Sequence, residues 1–490
     1  MKLSELCGPS AAPAECDESA ITGLTADSRE VQPGYLFAAL SGLKTDGARF
    51  IADAVARGAA AILAGDTSAV EVEGRIPVVR DANPRRRLAL MAARFHGRQP
   101  EIAAAVTGTN GKTSVAAFLR QIWEACGRSA ASLGTTGIHF QNQDWPLAHT
   151  TPDPVSLHES LAELADRGAT HLAFEASSHG LAQYRADGIK LAAGAFTNIS
   201  RDHLDYHSDF TDYFSAKMRL FTELLQPGQP AVIDVDSEGG EEAAEIARGR
   251  GLRLITTGRK GDMLRLVASE RDGFGQRLEV LHEGIARHLT IPLAGDFQAA
   301  NVLVALGLAI ATGTQPDRAF AAAETLKGAK GRLELAGYTA AGSPVFIDYA
   351  HTPAALETAI LALRPYVAAK LHVVFGCGGD RDRGKRPQMG EIAARLADRA
   401  IVTDDNPRGE DPAAIRAGIL AAAPGAIEIG DRAEAIAAAI QAMGPGDLLL
   451  IAGKGHETGQ IIGHRVIPYS DHETVAALLE GGRERSVLHG

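Results

Sequence analysis

The chain has 490 residues, a formal net charge of −11, and 45% hydrophobic against 22% charged residues, the balance of a globular protein in water. That charge excludes a general nucleic-acid binder, so any phosphate ligand must be held by a local site. No apolar run reaches the roughly 18 residues of a membrane span, no apolar segment follows Lys2, and Cys7, Cys16, Cys126 and Cys377 lack C-x-x-C spacing. The expectation is free thiols in a reducing cytoplasm, with neither a disulfide framework nor a zinc site.

The length suits three domains of about 150 residues each. In the first, 1–100, Ile21 to Leu40 reads as short strands around turns at Ser28-Arg29 and Pro33-Gly34. A helix from Ala48 to Arg57, a strand to Leu63 and another over Ile76 to Val79 follow. Asn83 then caps a helix that has Pro84 at its first position and runs to Phe95. Arg85 to Arg87 reads as a solvated helix face, and His96 to Pro100 as a linker. Ser28 and the loop from Gly42 to Gly47 are turn residues that could also meet a ligand.

The second domain, 101–333, opens on a buried strand, Ile102 to Val106, and a helix, Val115 to Trp123. Between them lies VTGTNGKTS, which has the order strand, Gly-rich turn, helix of a phosphate loop. Backbone N–H groups across Thr107, Gly108, Thr109, Asn110 and Gly111 would cradle phosphates, Lys112 would reach the outer ones, and Thr113 would ligate Mg²⁺. The pattern G-x-x-x-x-G-K-[ST] asks for glycine where Val106 stands, and the chain has Gly108 instead. An ordinary βα turn is the competing reading. Two later strands, His171 to Phe174 and Ala193 to Thr197, end in Glu175 and Ser177 and in Asn198, Asp202 and His203. Ligands of open parallel sheets sit beyond the carboxyl ends of the strands. Thr113, Glu175 and His203 are therefore expected on one edge, as a Mg²⁺ shell or as capping groups. HTTPDP is a loop, because two prolines flank Asp153. Gln183 and Arg185 can donate to an anionic substrate, while Lys217, on a helix from Phe210 to Leu225, reads by itself as a solvated charge.

The third domain, 334–490, alternates strands and Ala-rich helices and reads as a second doubly wound sheet. It lacks G-x-G-x-x-G, since Arg381 holds the last position, so a dinucleotide site is not indicated. Its strand ends carry both charge signs, at Asp348 and His351, Asp380 and Arg381, Asp405 to Arg408, and Lys454 to Glu457. Such a set suits a zwitterionic ligand.

TGTNGKT, FEASSHGL, NISRDHLDYH, GDFQAAN, DYAHTP, GCGGDRDRGKRP, DDNPR and AGKGHE follow one another, from about residue 20 to 475, in a way that resembles the Mur ligase family. The resemblance implies an α/β protein with a small uridine-nucleotide-binding domain, a central P-loop ATPase-type parallel sheet and a Rossmann-like doubly wound C-terminal domain. It implies an ATP-dependent, amide-forming ligase of peptidoglycan precursor synthesis, cytoplasmic and monomeric, with small-molecule substrates only. It places ATP against Thr107 to Thr113, Asn301, Arg332, Asp348 and His351, with Gln298 where relatives often have asparagine. UDP-N-acetylmuramoyl-L-alanyl-D-glutamate would meet Ala26, Ser28, Leu43, Lys44 and Thr45 at its uridine end, and His149, Thr150, Thr151, Ser177, Gln183 and Arg185 at its dipeptide end. Two Mg²⁺ ions are implied, at Thr113, Glu175, His203 and a carbamate that CO₂ forms on Lys217. Lys112, Glu175, His203 and Lys217 are the residues expected to carry catalysis. Meso-2,6-diaminopimelate would meet Arg381, Asp405, Asn406, Pro407, Arg408, Gly453 and Glu457. In the family, DNPR ending in arginine accompanies this amino acid, and Arg408 can grip its far carboxylate with two parallel bonds. The resemblance also implies that the last domain closes over the central one about Arg332. The alternatives are ligation of L-lysine or another amino acid, or a P-loop switch or motor.

Overall fold

Strands covered on both faces read as unbroken apolar runs, and such runs build the parallel sheets of this chain. The computed structural model describes residues 1–8, 18–42, 46–66, 76–147, 149–203 and 206–488. It divides into two units, one of residues 1–265, 282–284 and 303–322, the other of 266–281, 285–302 and 323–490.

In the first unit β1 (Gly23–Thr25), β2 (Tyr35–Ala38), β3 (Ala61–Gly65) and β4 (Val78–Asp81) pair in chain order, all parallel. The helix Pro84–His96 starts as its sequence requires: Asn83 Oδ1 accepts from Arg86 N at 3.1 Å, and Gly97 ends it at φ 71°. The helix expected from Ala48 is split into a 3-10 turn, Gly47–Phe50, and a short α-helix, Ile51–Ala56. The arginine run is a solvated face only in part: Arg86 is exposed, Arg85 half-buried and Arg87 buried. Arg87 is buried beside Asp81, and Arg86 Nε donates to the buried Asp187 at 2.9 Å. A buried carboxylate such as Asp187 demands cationic partners, and periodicity alone cannot reveal one that arrives from distant sequence. Cys7 is disulfide-bonded, against the expectation of free thiols; Cys126 and Cys377 are free, and Cys16 lies outside the described residues.

The central sheet of this unit contains β5 (Ile102–Thr107), β6 (Ala130–Gly134), β7 (Gly137–Phe140), β8 (Gln143–Trp145), β9 (His171–Glu175), β10 (Ala193–Phe196), β11 (Pro230–Asp234) and β12 (Arg253–Gly258). Their order is β12-β11-β10-β5-β9-β6-β7-β8, parallel except for β7 and β8. Register levels the strand ends: Val106 lies opposite Glu175, and Thr107 opposite Phe196. Phe174, Phe196, Leu172, Ile233 and Phe221 share the core that holds these ends in place. The helix Phe210–Arg219 does not continue as α-helix to Leu225; it loosens into a π-turn, Leu220–Leu224, a distortion that often marks functional sites.

Next come β13 (Leu264–Asp272), β14 (Gly275–His282) and β15 (Ile285–Ile291), hydrogen-bonded in that order. The sheet of the second unit contains β16 (Glu334–Tyr338), β17 (Pro344–Asp348), β18 (Leu371–Phe375), β19 (Arg399–Val402), β20 (Ile427–Glu428) and β21 (Leu448–Ala452). They run in the order β16-β17-β21-β18-β19-β20, with only β16 antiparallel to its neighbour. A separate hairpin, β22 (Gly459–Ile462) and β23 (Arg465–Pro468), follows β21. Among the described residues no helix is long and apolar enough to cross a membrane.

Phe174 is fully buried on β9, paired with Ala105 on one side and Leu133 on the other. Phe174→Ala is expected to cost about 3–5 kcal/mol, read as a lowered denaturant midpoint of the transition that includes the central sheet.

Candidate active site

The displaced glycine of the phosphate loop has a geometric cause. Val106 is still inside β5, so the turn needs its glycine later. Gly108 sits at φ 148°, and a Cβ there would lie 1.9 Å from Thr197 Oγ1. The loop is laced to the end of β10: Thr109 N donates to Asn198 O at 2.8 Å, Asn110 N to Asn198 Oδ1 at 3.0 Å, and Thr197 Oγ1 to Asn110 O at 2.6 Å. The helix that follows spans Lys112–Ala125, starting three residues earlier than its apolar pattern indicates. Gly111 is its N-cap and offers no side chain, which leaves first-turn N–H groups for an anion. Lys112 Nζ folds back onto Gly108 O at 2.9 Å and Thr109 O at 2.8 Å.

Glu175, only 1% exposed, lies level with this loop at the end of β9. Its Oε2 accepts from Thr113 Oγ1 at 3.0 Å and Thr135 Oγ1 at 3.1 Å, and its Oε1 from Thr135 N at 2.9 Å. Gly134 must be glycine for this approach, because a Cβ would stand 2.0 Å from Oε1. All three donors are neutral, so the carboxylate charge is not compensated by them. A buried carboxylate beside a threonine hydroxyl offers hard oxygen ligands that suit Mg²⁺, with water and phosphate completing its shell. Among the described residues no group of three His, Cys, Asp or Glu gathers to hold a metal ion alone. Thr151 ties the next loop to the same strand: its Oγ1 donates to Glu175 O at 3.0 Å and accepts from Ser177 N at 3.1 Å. Thr150 bonds Thr135 at 3.0 Å, Arg185 Nη1 donates to Thr151 O at 2.7 Å, and Gln183 bridges Arg185 to Tyr206. His149 is exposed on this loop, and in the first sheet Ser28 is buried while Ala26 is exposed. Leu43, Lys44 and Thr45 lie outside the described residues.

Lys217 is not a solvated charge. It is 1% exposed; its Nζ donates to Gly108 O at 2.7 Å and lies 4.4 Å above the Tyr213 ring. Burial, reinforced by the charge of Lys112, holds its pKa well below the usual lysine range, so the amine is drawn towards its neutral form. His203, at φ 53° and half-exposed, faces the rings of His179 at 4.8 Å and Tyr213 at 6.0 Å. Thr113 and Glu175 thus touch directly, while Tyr213 lies beside both Lys217 and His203.

In the second unit, Asp348 ends β17 and accepts from Leu333 N at 2.6 Å and Ala350 N at 2.7 Å. Burial pushes its carboxyl up against the pull of Arg332, whose guanidinium lies 4.7 Å over the Tyr349 ring. His351 is held below its usual range by burial, and its carbonyl accepts from Lys385 at 2.9 Å. Asn301 Nδ2 donates to Gln298 Oε1 at 3.1 Å, so the glutamine keeps a polar bond at that position. A cavity of about 360 Å³ opens at the start of the helix Asp296–Ala311 that carries Gln298 and Asn301, lined by Asp296, Phe297, Thr358, Leu361 and Tyr366. Beyond β19, Asp405 and Asn406 are buried and Pro407 leads to Arg408, which has φ 51°. Arg408 Nη1 donates to Gly379 O at 3.0 Å, and its backbone is clamped to the β22 hairpin by Arg408 N to Ile461 O at 3.0 Å. Asn406 Nδ2 donates to Glu457 Oε2 at 2.9 Å. Gly453, at φ 117°, passes close to Asp405, and Arg381 is exposed.

Two residues outside the sequence-derived set, Thr135 and Tyr213, belong to these clusters, and Lys454, named among the strand-end charges, proves central to one. Thr135 gives Glu175 two of its bonds, Tyr213 joins Thr109 to Lys217, and Lys454 is wholly buried among Asp405, Asn406 and Glu457. Thr135 follows the end of β6, where only the pairing of β6 with β9 brings it to Glu175, and Lys454 follows the end of β21.

Residues 20–99 match Mur ligase family, catalytic domain; 106–309 match Mur ligase middle domain; and 331–455 match Mur ligase, glutamate ligase domain. The chain is 55% identical over 489 residues to the UDP-N-acetylmuramoyl-L-alanyl-D-glutamate–2,6-diaminopimelate ligase of Mesorhizobium japonicum, covering 99% of this chain and 100% of that one. With the ligase of the same name from Bradyrhizobium diazoefficiens the identity is 57%, over 98% of this chain and 99% of the relative. A solved structure of a ligase with that name superposes with TM-score 0.73 at 31% identity, over 99% of both chains. MurF of Thermotoga maritima in complex with ADP shares the fold, with TM-score 0.61 at 19% identity over 96% of this chain and 99% of that one.

A depressed lysine pKa means that the unfolded chain binds more protons between the folded value and 10.5, so the burial penalty is largest at low pH and fades as pH approaches 10.5. Lys217→Met should therefore be more stable than the parent at pH 7 in CO₂-free buffer, by an amount that shrinks towards pH 10. Thermal unfolding against pH reads this directly.

Proposed function

The chain belongs to the Mur ligase family, and we propose that it joins meso-2,6-diaminopimelate to the D-glutamyl γ-carboxylate of UDP-N-acetylmuramoyl-L-alanyl-D-glutamate, with ATP as co-substrate. The observation that carries this reading is identity of 55% along almost the whole of both chains to a relative named for the reaction. The γ-carboxylate attacks the terminal phosphorus of ATP, ADP leaves, and an acyl phosphate forms. The amine of diaminopimelate then attacks the acyl carbon, the C–O bond to phosphate breaks, and the amine gives up a proton.

The first step brings two anions together, so the protein's part is charge placement. Lys112 exchanges the carbonyls of Gly108 and Thr109 for phosphate oxygens, beside the unspent N–H groups of its helix. Mg²⁺ held by Thr113 and Glu175 would supply charge neutralisation at those phosphates, with a second ion suited to His203 and a carbamate on Lys217. Lys217 fits CO₂ uptake because its buried amine is drawn to the neutral, nucleophilic form. Thr151, Ser177, Gln183 and Arg185 form a bonded loop beside Glu175 that suits the anionic dipeptide. In the second unit Arg408 supplies a fork for the far carboxylate of diaminopimelate, and Glu457 an acceptor for the far ammonium. Lysine would leave that fork without a carboxylate, which favours the two-headed amino acid.

ADP release with the muramoyl dipeptide nucleotide and a panel of amino acids tests the reading: diaminopimelate should support turnover and lysine little. Lys112→Ala should lower kcat by about 10²–10³-fold or more. Arg408→Ala should raise KM for diaminopimelate by about 10–100-fold and leave KM for ATP nearly unchanged, whereas equal losses would point to misfolding.

A further inference from the structure

The second unit contains an ammonium group with no access to solvent at the centre of the proposed amino-acid site. Lys454 is 0% exposed at the end of β21. Its Nζ donates to Asn406 Oδ1 at 3.1 Å and to Glu457 Oε2 at 3.2 Å, and lies 3.6 Å from Asp405 Oδ1. A buried lysine is costly unless it is paired, and its partners here are three residues of the proposed site rather than a distant structural pair.

We propose that Lys454 is a positioning residue for recognition of the far ammonium of the amino-acid substrate. It acts through Asn406 and Glu457, and the inference rests on the second unit being the diaminopimelate site. The bonds form a directed chain. Asn406 Oδ1 accepts from Lys454 Nζ and from Ile461 N at 2.9 Å. Flipping that amide would set its NH₂ against two donors, so its Nδ2 is forced towards Glu457 Oε2, at 2.9 Å. Oε2 is then filled by two donors and the carboxylate plane is fixed, which leaves Oε1 for a ligand. Asp405 Oδ1 is buried without a hydrogen-bond partner, 3.6 Å from Lys454 Nζ; the buried Arg432 also acts on this carboxylate, but its own bonds go to Asp471. Two carboxylates share one lysine, a net charge of −1 that a single substrate ammonium neutralises.

The discriminating substrate is 2-aminopimelate, which keeps the nucleophilic amine and far carboxylate but lacks the far amine. Lys454→Met should raise KM for diaminopimelate by about 10-fold or more while KM for 2-aminopimelate, or its inhibition constant, moves less than about twofold. KM for ATP should not change. Glu457→Gln should erase the same preference, and the double variant should lose no more than either single one, because both act on one contact. Lys454→Gln, closer in length and polarity, is the substitute if the Met variant does not fold, and should also reduce the preference. An equal rise for both amino acids, an unchanged preference, or additive losses would overturn the proposal. An unsubstituted chain that failed to ligate diaminopimelate at all would instead overturn the reading beneath it, and the proposal with it.

Discussion

Two lysine side chains donate to one carbonyl oxygen, that of Gly108. Two ammonium groups at one acceptor cannot both be fully charged without cost, and Lys217, with 1% exposure, is the one whose charge is suppressed. The consequence spreads outward. Lys112 keeps two bonds to carbonyls of its own loop, which can be traded for phosphate. Lys217 gains a nucleophilic amine in a dry place. The carbonyl can sit there only because Gly108 has a backbone conformation and a closeness to Thr197 that side chains forbid. The glycine that departs from the usual phosphate-loop pattern is thus the piece that couples the loop to the helix Phe210–Arg219.

Much of this was legible from residue order. Asn83-Pro84 starts its helix where capping chemistry says it should, and GKT stands at a strand-to-helix turn. The strand-end rule brings Glu175 beside Thr113 across 62 residues of chain. Bonds set by register between strands and by the packing of far segments were not legible. Thr135 reaches Glu175 because β6 lies beside β9, and nothing local to GTTG announces that. Arg86 is exposed as expected but also reaches Asp187, which arrives from 101 residues away, a bond no local pattern announces. Lys217 looked solvated because its burial depends on a loop more than 100 residues earlier, and only family resemblance singled it out.

The two clusters solve opposite electrostatic problems with the same residue type. Glu175 is surrounded by hydroxyl and amide donors, which fix its geometry and leave its charge whole. That arrangement suits a divalent cation, which needs uncompensated anionic oxygen and tolerates neutral oxygen beside it. Glu457 instead shares a lysine with Asp405, so the pair presents one net negative charge rather than two. That suits a monovalent ammonium and would bind a divalent ion poorly, because a positive charge already occupies the interior of the cluster. The same contrast separates the jobs of the lysines: one is drawn towards its neutral form by burial beside a second cation, the other is buried beside two carboxylates. Exposure alone, 1% and 0%, would class Lys217 and Lys454 together; the sign of their neighbours divides them.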